Sequence, residues 1–267
     1  MEHFIQPNLL RRPVEITVVG AGGTGSHVIN GLVQLHTAMV ALGHPGGLKI
    51  TVIDDDTVSE SNVGRQAFVW SDIGQPKAEV LVNRLNQAFG LNWTAEVGRI
   101  GEGDDSGGIR RTDMVIGCVD NRKARNAITK GFAAGAYYLD MGNRQNDGQI
   151  VLGELGQGAN VHALNGKMRL RLPTVADLFP ETVNEGLDAS DDQPSCSLAE
   201  ALEKQGLFIN RAMALHALNL LFKLFRYGRI ESHGVFVNLA TDRVSPLAID
   251  PQTWKRFGYV VEEKLAA

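Results

Sequence analysis

Val14-Glu15-Ile16-Thr17-Val18-Val19 runs directly into Gly20-Ala21-Gly22-Gly23-Thr24-Gly25, and this junction decides the fold. An apolar β-branched run breaking into glycines predicts a strand, a tight turn and a helix start. A helix start carries roughly +0.5 charge and unpaired N–H groups, which suit a phosphate. A second strand-like run, Leu48-Lys49-Ile50-Thr51-Val52-Ile53, ends on Asp54-Asp55-Asp56. An acid at that place can take ribose hydroxyls. Then come Thr57-Val58-Ser59-Glu60-Ser61-Asn62-Val63-Gly64-Arg65-Gln66 and Gly74-Gln75-Pro76-Lys77. These would place an amide, a guanidinium and an ammonium just beyond the nucleotide's phosphates. Hydride transfer has no use for that polar set; adenylylation or phosphate cleavage does.

Further along, Met114-Val115-Ile116-Gly117-Cys118-Val119 is a continuous apolar run ending on Asp120-Asn121. Such runs mark strands buried on both faces of a parallel sheet. Ligands of open α/β sheets bind beyond the carboxyl ends of the strands, so Asp54 and Asp120 should converge on one crevice. Asp120 also reads as the N-cap of the next helix, and Cys118 as a small buried side chain.

The glycine turn, Asp54-x-Asp56-x-Val58, Asn62, Arg65-Gln66, Gly74-x-x-Lys77 and Cys118-Val119-Asp120-Asn121 with Arg125 occur in a fixed order. In these elements the chain resembles the ThiF, MoeB and HesA adenylyltransferases, bacterial relatives of ubiquitin-activating enzymes. The similarity covers roughly residues 14 to 155 and weakens to about 225. It implies that Gly20, Gly22, Gly23, Gly25, Asp54, Asp56, Asn62, Gln66 and Asn121 bind ATP. Asp54 would hold the ribose, Asn62 the phosphate end, Arg65 and Lys77 the β- and γ-phosphates, and Asp120 Mg²⁺. It further implies a ubiquitin-like β-grasp protein as partner and a homodimer in which Arg11 or Arg12 of the leader reaches the triphosphate of the other subunit. Cys196, before the helix starting near Leu198, stands where ThiF carries its reactive cysteine; a helix start favours the thiolate. Pro194-Ser195-Cys196-Ser197-Leu198, Leu207-Phe208-Ile209-Asn210 and Leu224-Phe225-Arg226 are also similar to ThiF-like proteins of plasmid-borne PRTRC gene clusters.

The expected fold is α/β: a Rossmann-like, doubly wound, mostly parallel sheet with helices on both faces and a C-terminal antiparallel extension. Residues 1–13 read as an arm, 14–155 as the nucleotide-binding core, and 156–267 as a crossover loop, helices and strands completing the same domain. Helical spacing of apolar residues covers 26–42 and 76–89, with Asp72 as a cap for the second. Residues 137–141 and 148–153 read as strands, 154–197 lack periodicity, and 198–227 return to a helical pattern divided at Gly206. Residues 234–239 and 244–249 read as a hairpin turning at Thr241-Asp242.

Composition fits a soluble cytoplasmic globular protein: 267 residues, 43% hydrophobic and 21% charged. No apolar run is long enough for a bilayer and no signal peptide opens the chain. A net charge of −4 gives no general attraction for nucleic acid. Cys118 and Cys196 are too few for a four-cysteine zinc site, so no zinc is expected. Three readings compete with the adenylylation of a protein carboxylate. An NAD(P)-binding oxidoreductase leaves Asn62, Arg65 and Lys77 unexplained. The others are a tRNA-modified-adenosine activating enzyme of the same family, and a nucleotide-binding scaffold without turnover.

Overall fold

The computed structural model describes residues 1–101, 108–157, 160–162, 168–187 and 205–261. Five parallel strands form the centre of the sheet: β2 (Val14–Val19), β3 (Leu48–Asp54), β4 (Thr94–Val97), β5 (Met114–Gly117) and β6 (Tyr137–Asn143). β7 (Asp147–Glu154), β11 (Ser232–Asn238) and β12 (Arg243–Ala248) continue it antiparallel, giving the order β12-β11-β7-β6-β5-β2-β3-β4. The apolar runs explain the centre. Val14, Ile16, Val18, Ile50, Val52, Met114, Val115 and Ile116 are all buried, as strands covered on both faces require.

From β2 the chain goes to β3 on one side, and from the edge strand β4 it returns to β5 on the other. The crossover helices are α1 (Gly23–Ala41), α2 (Lys77–Phe89) and α3 (Arg122–Gly131). Right-handed crossovers running in opposite directions put α1 and α2 on one face and α3 on the other. The switch lies between the carboxyl ends of β2 and β5, where the glycine turn and the 118–121 segment meet. α5 (Ile209–Tyr227) packs along α1. The unusual distance from Gly25 to Asp54 is taken up by the 19 residues of α1.

Three local expectations are corrected. Asp72 does not cap α2; its Oδ2 accepts from the Val69 N–H at 2.8 Å and pairs with Arg84 at 2.6 Å, closing a turn before the helix. The cap of α3 is Asn121, whose Oδ1 accepts from the Ala124 N–H at 2.8 Å, and not Asp120. β5 ends at Gly117, so Cys118 is the first residue past the strand; its N–H still donates to the Val19 carbonyl at 2.8 Å, and it is half-buried. Residues 154–197, featureless by periodicity, include the hairpin β8 (Asn160–His162) with β9 (Met168–Leu170) and the short α4 (Val175–Leu178). Periods of 2 and 3.6 are invisible in elements this short. The helix expected before Gly206 falls outside the described residues.

The leader is bound to its own chain. β1 (His3–Phe4) pairs with β10 (Arg229–Ile230), and Ile5 and Leu9 are buried. His3 Nε2 meets the Tyr137 hydroxyl at 2.8 Å, and burial, helped by Arg169, lowers its pKa to about 3. Arg12 makes a two-bond pair with Asp113, at 2.7 and 2.5 Å, beside the amino-terminal end of β5. That is the edge opposite the crevice, so within its own chain Arg12 is committed elsewhere. Arg11 is exposed.

Candidate functional site

α1 starts without a side-chain cap and with no acid in its first turn, and the Asp54 carboxylate bonded to Ala21 lies just before it. The turn leading into it can be built only from glycine at key places. Gly20 has φ +95°, and a Cβ there would lie 2.7 Å from the Cys118 carbonyl oxygen. A Cβ on Gly25 would overlap the Gly20 carbonyl, and one on Gly23 would lie 2.7 Å from Asn210 Nδ2. Gly22 differs: among the described residues nothing lies within 4 Å of its Cβ position, so on that side the turn is open to them. The backbone is packed tightly from below and clear where a phosphate would approach.

Asp54, at the end of β3, fastens this turn. Its Oδ2 accepts from the Ala21 N–H at 2.6 Å and its Oδ1 from the Asp56 N–H at 2.9 Å. Burial raises its pKa, against the opposing pull of those N–H groups and of Lys77. Asp54 stands at the carboxyl end of β3, where the family resemblance puts the ribose hydroxyls. Lys77, the first residue of α2, points Nζ to Asp56 Oδ2 at 2.8 Å; its side chain is 8% exposed and that of Asp56 61%. A lysine opening a helix opposes the dipole, and the Asp56 carboxylate offsets this.

Asn62 is buried and closes a loop turn, its Oδ1 accepting from the Ser59 N–H at 2.9 Å. Gln66 is also buried, and its Oε1 has no partner. Arg65 extends Nη1 to Gln205 Oε1 at 2.8 Å, while its Nε is buried and unpartnered. Burial lowers its pKa and nearby Asp120 raises it. Asp120 itself is exposed at the mouth, with Arg65 on one side and Arg125 on the other contributing to the local field. Buried donors and acceptors without partners are rare. Here two of them, Arg65 Nε and Gln66 Oε1, lie on the loop that follows β3; Arg65 is near Asp120, and a guanidinium suits an anionic group such as a phosphate. One exposed carboxylate beside it suits Mg²⁺, which takes one or two carboxylates plus phosphate oxygens. Contacts thus link the Gly20–Gly25 turn to Asp54, Asp54 to Asp56 and Lys77, and Arg65 to Asp120, while Asn62 and Asn121 each close a local turn. Cys196 lies outside the described residues. Cys118 is half-buried, and desolvation with the nearby carboxylates Asp140 and Asp54 pushes its thiol far up, which disfavours the thiolate.

Sequence reasoning missed a second layer. Asp140, on β6, is fully buried; its Oδ1 accepts from Arg125 Nε at 3.1 Å and from the Tyr138 hydroxyl at 2.8 Å. A lone acid in the apolar run Tyr137–Met141 was the available signal, because buried carboxylates are rare unless paired. Thr24, Asn143, Asn210 and Gln205 form a further polar cluster. Thr24 Oγ1 donates to Asn210 Oδ1 at 3.0 Å, and Asn210 Nδ2 to Gln205 Oε1 at 3.2 Å.

Residues 8–251 match the ThiF family. The chain is 35% identical over 130 residues to the adenylyltransferase and sulfurtransferase UBA4 of Yarrowia lipolytica, covering 48% of this chain and 30% of that protein. It is 31% identical over 174 residues to the NEDD8-activating enzyme E1 catalytic subunit of Dictyostelium discoideum, covering 64% and 36%. The chain thus spans about a third of the length of these two relatives. Among solved structures, E. coli MccB with succinimide superimposes with a TM-score of 0.58 at 17% identity, over 88% of this chain and 64% of that one. At that identity the likeness concerns the fold.

Proposed function

This chain belongs to the ThiF family, and from that premise we propose that it uses ATP and Mg²⁺ to adenylylate the C-terminal carboxylate of a ubiquitin-like β-grasp protein. The observation that supports the reading is the uncapped start of α1 behind a glycine turn that is bonded to Asp54, with Lys77 close enough to act on that carboxylate. The carboxylate oxygen attacks the α-phosphorus, the bond to the β-phosphate oxygen breaks, and pyrophosphate leaves with the electron pair. Negative charge moves onto the leaving group, where Lys77 acts as a point charge and Arg65 as a planar fork. The Gly20–Gly25 turn and Asp54 fix the nucleoside end, so the reaction is largely one of positioning. Mg²⁺, when held by Asp120 and phosphate oxygens, would supply further neutralisation.

No helix among the described residues is long and apolar enough to cross a membrane. A partner of the PRTRC type, encoded beside this chain, would be a β-grasp protein. Cys196 is the proposed acceptor of the acyl group. It precedes Gln205 by nine residues, and Gln205 is hydrogen-bonded to Arg65. Nine residues reach at most about 30 Å, enough to bring a thiolate to the crevice. The thiolate attacks the acyl carbon, the bond to AMP breaks, and AMP leaves with the electrons.

The test is ATP–pyrophosphate exchange with a β-grasp partner as carboxylate source. Exchange is expected with the intact tail and absent when its last residue is amidated. A thiol-sensitive conjugate should form and disappear in Cys196→Ala. Exchange without any conjugate places the end-point at the acyl-adenylate. Reduction of a nicotinamide cofactor with no exchange overturns the reading.

The active unit is proposed to be a homodimer, with Arg11 the leader arginine not engaged in its own chain. Phe89 and Leu215 are 58% and 66% exposed beside a cavity of about 360 Å³ between α1, α2 and α5, the kind of apolar surface a second copy covers. Light scattering should give twice the chain mass, and Leu215→Glu should shift it towards one. A wild-type monomer at working concentration sinks this part.

A further inference from the structure

We propose that Gln205 is a positioning residue for Arg65, holding its guanidinium over the phosphate end of the crevice. The inference rests on the adenylylation reading and adds a residue to it. Gln205 Oε1 accepts two hydrogen bonds, from Arg65 Nη1 at 2.8 Å and from Asn210 Nδ2 at 3.2 Å. Its backbone neighbour is fixed too: the Gly206 N–H donates to the Gln145 carbonyl at 2.8 Å. A Cβ on Gly206 would crowd the same Gln145 carbonyl and Asn146, so the chain passes here in close contact with the β6–β7 turn. Gln205 is therefore held from both sides, by its own backbone and by Asn210.

Asn210 in turn is anchored to the glycine turn. It is buried at the start of α5, its Oδ1 accepts from Thr24 Oγ1 in the first turn of α1, and its amide fills the space that a Cβ on Gly23 would need. Thr24 Oγ1 lies 3.2 Å from Asn143 Oδ1 at the end of β6. The chain of contacts Thr24, Asn210, Gln205, Arg65 thus fixes the guanidinium relative to the α1 start. Arg65 needs such a hold. It sits on a loop rather than on a helix or strand, burial disfavours its charge, and its buried Nε has no partner. An acceptor on Nη1 fixes the plane of the fork and leaves Nη2 to a ligand. Asparagine at 205 is one methylene too short for the same contact, and glutamate would neutralise the cation it holds.

The chemistry assigns a selective effect. Arg65 serves the β- and γ-phosphates, so losing Gln205 should weaken ligands that carry them and spare AMP. The experiment measures equilibrium binding of ATP, of a non-hydrolysable ATP analogue and of AMP to the full chain by calorimetry, for wild type, Gln205→Ala and Gln205→Glu. Gln205→Ala should weaken ATP and the analogue about tenfold, the scale of one hydrogen bond to a charged group, and leave AMP within twofold. Gln205→Glu should weaken the triphosphates further, by charge competition. Thermal midpoints without nucleotide show whether each variant is folded. Unchanged or tighter triphosphate binding by a folded Gln205→Ala overturns the inference, as does an equal loss for AMP, which marks a general distortion. Absence of ATP binding by the wild-type chain instead defeats the adenylylation reading itself.

Discussion

Lys77→Ala and Asp120→Ala are each expected to cut ATP–pyrophosphate exchange by about 10²-fold or more, the scale of losing one transition-state charge contact. Both substitutions should leave the protein folded, and the structure gives the reason in each case. Lys77 pairs with Asp56, whose side chain is 61% exposed and stays hydrated when the ammonium is removed. Lys77 is buried, so its removal also leaves unfilled space, and the urea midpoint of the variant measures that cost. Asp120 is exposed and caps no helix, because Asn121 performs that task through the Ala124 N–H. A loss of exchange in Asp120→Ala therefore cannot be ascribed to fraying of α3. Asn121→Ala is the matching control for such fraying, with an expected cost of about 1 kcal/mol in stability. Exchange rates at saturating ATP, with urea midpoints for each variant, decide the matter. Exchange within threefold of wild type in both variants would remove Lys77 and Asp120 from the phosphate site.

The centre of the sheet and the glycine turn were legible because their signals are local. Strands buried on both faces are predominantly apolar, as 114–117 is throughout and as 14–19 and 48–53 are apart from Glu15, Thr17, Lys49 and Thr51. The turn at Gly20 must take a positive φ beneath a neighbouring carbonyl. The hairpin of β11 and β12 was legible for a related reason: Asp242, at φ +53°, occupies the left-handed position such a turn requires. What stayed hidden depends on contacts distant in sequence. Asp72 looks like a helix cap because it precedes α2, yet its carboxylate serves Val69 and Arg84. Asp120 and Asn121 are both cap-forming residue types, and only the register of α3 chooses between them. The link from Arg65 to Gln205 spans 140 residues, and neither side chain has a local pattern that announces it. Arg12 looks like a free basic residue until Asp113, a hundred residues on, comes beside it.

The largest effect on stability is expected at Asp140. Asp140→Ala should destabilise the protein by about 3–5 kcal/mol, the usual result of removing one partner of a buried ion pair. Arg125 Nε loses its carboxylate in a place where its side chain is only 9% exposed, and the Tyr138 hydroxyl loses its acceptor. Neither group can turn to water, since Tyr138 is fully buried and Arg125 lies against the backbone of Gly142. The cost arises from the abandoned cation more than from the lost attraction. Removing both charges should therefore recover much of it, and Asp140→Leu combined with Arg125→Met should be more stable than Asp140→Ala. Retaining a buried pair that an apolar one could replace points to a role for the charge. Arg125 contributes to the field around Asp120 at the crevice mouth, so the stable double variant is expected to lose exchange activity although it folds. Urea denaturation followed by circular dichroism gives the stabilities, and exchange assays on the same preparations give the activities. A cost below about 1 kcal/mol for Asp140→Ala would show that the ion pair is solvated in the folded protein. Full exchange in the double variant would show that the pair serves packing alone.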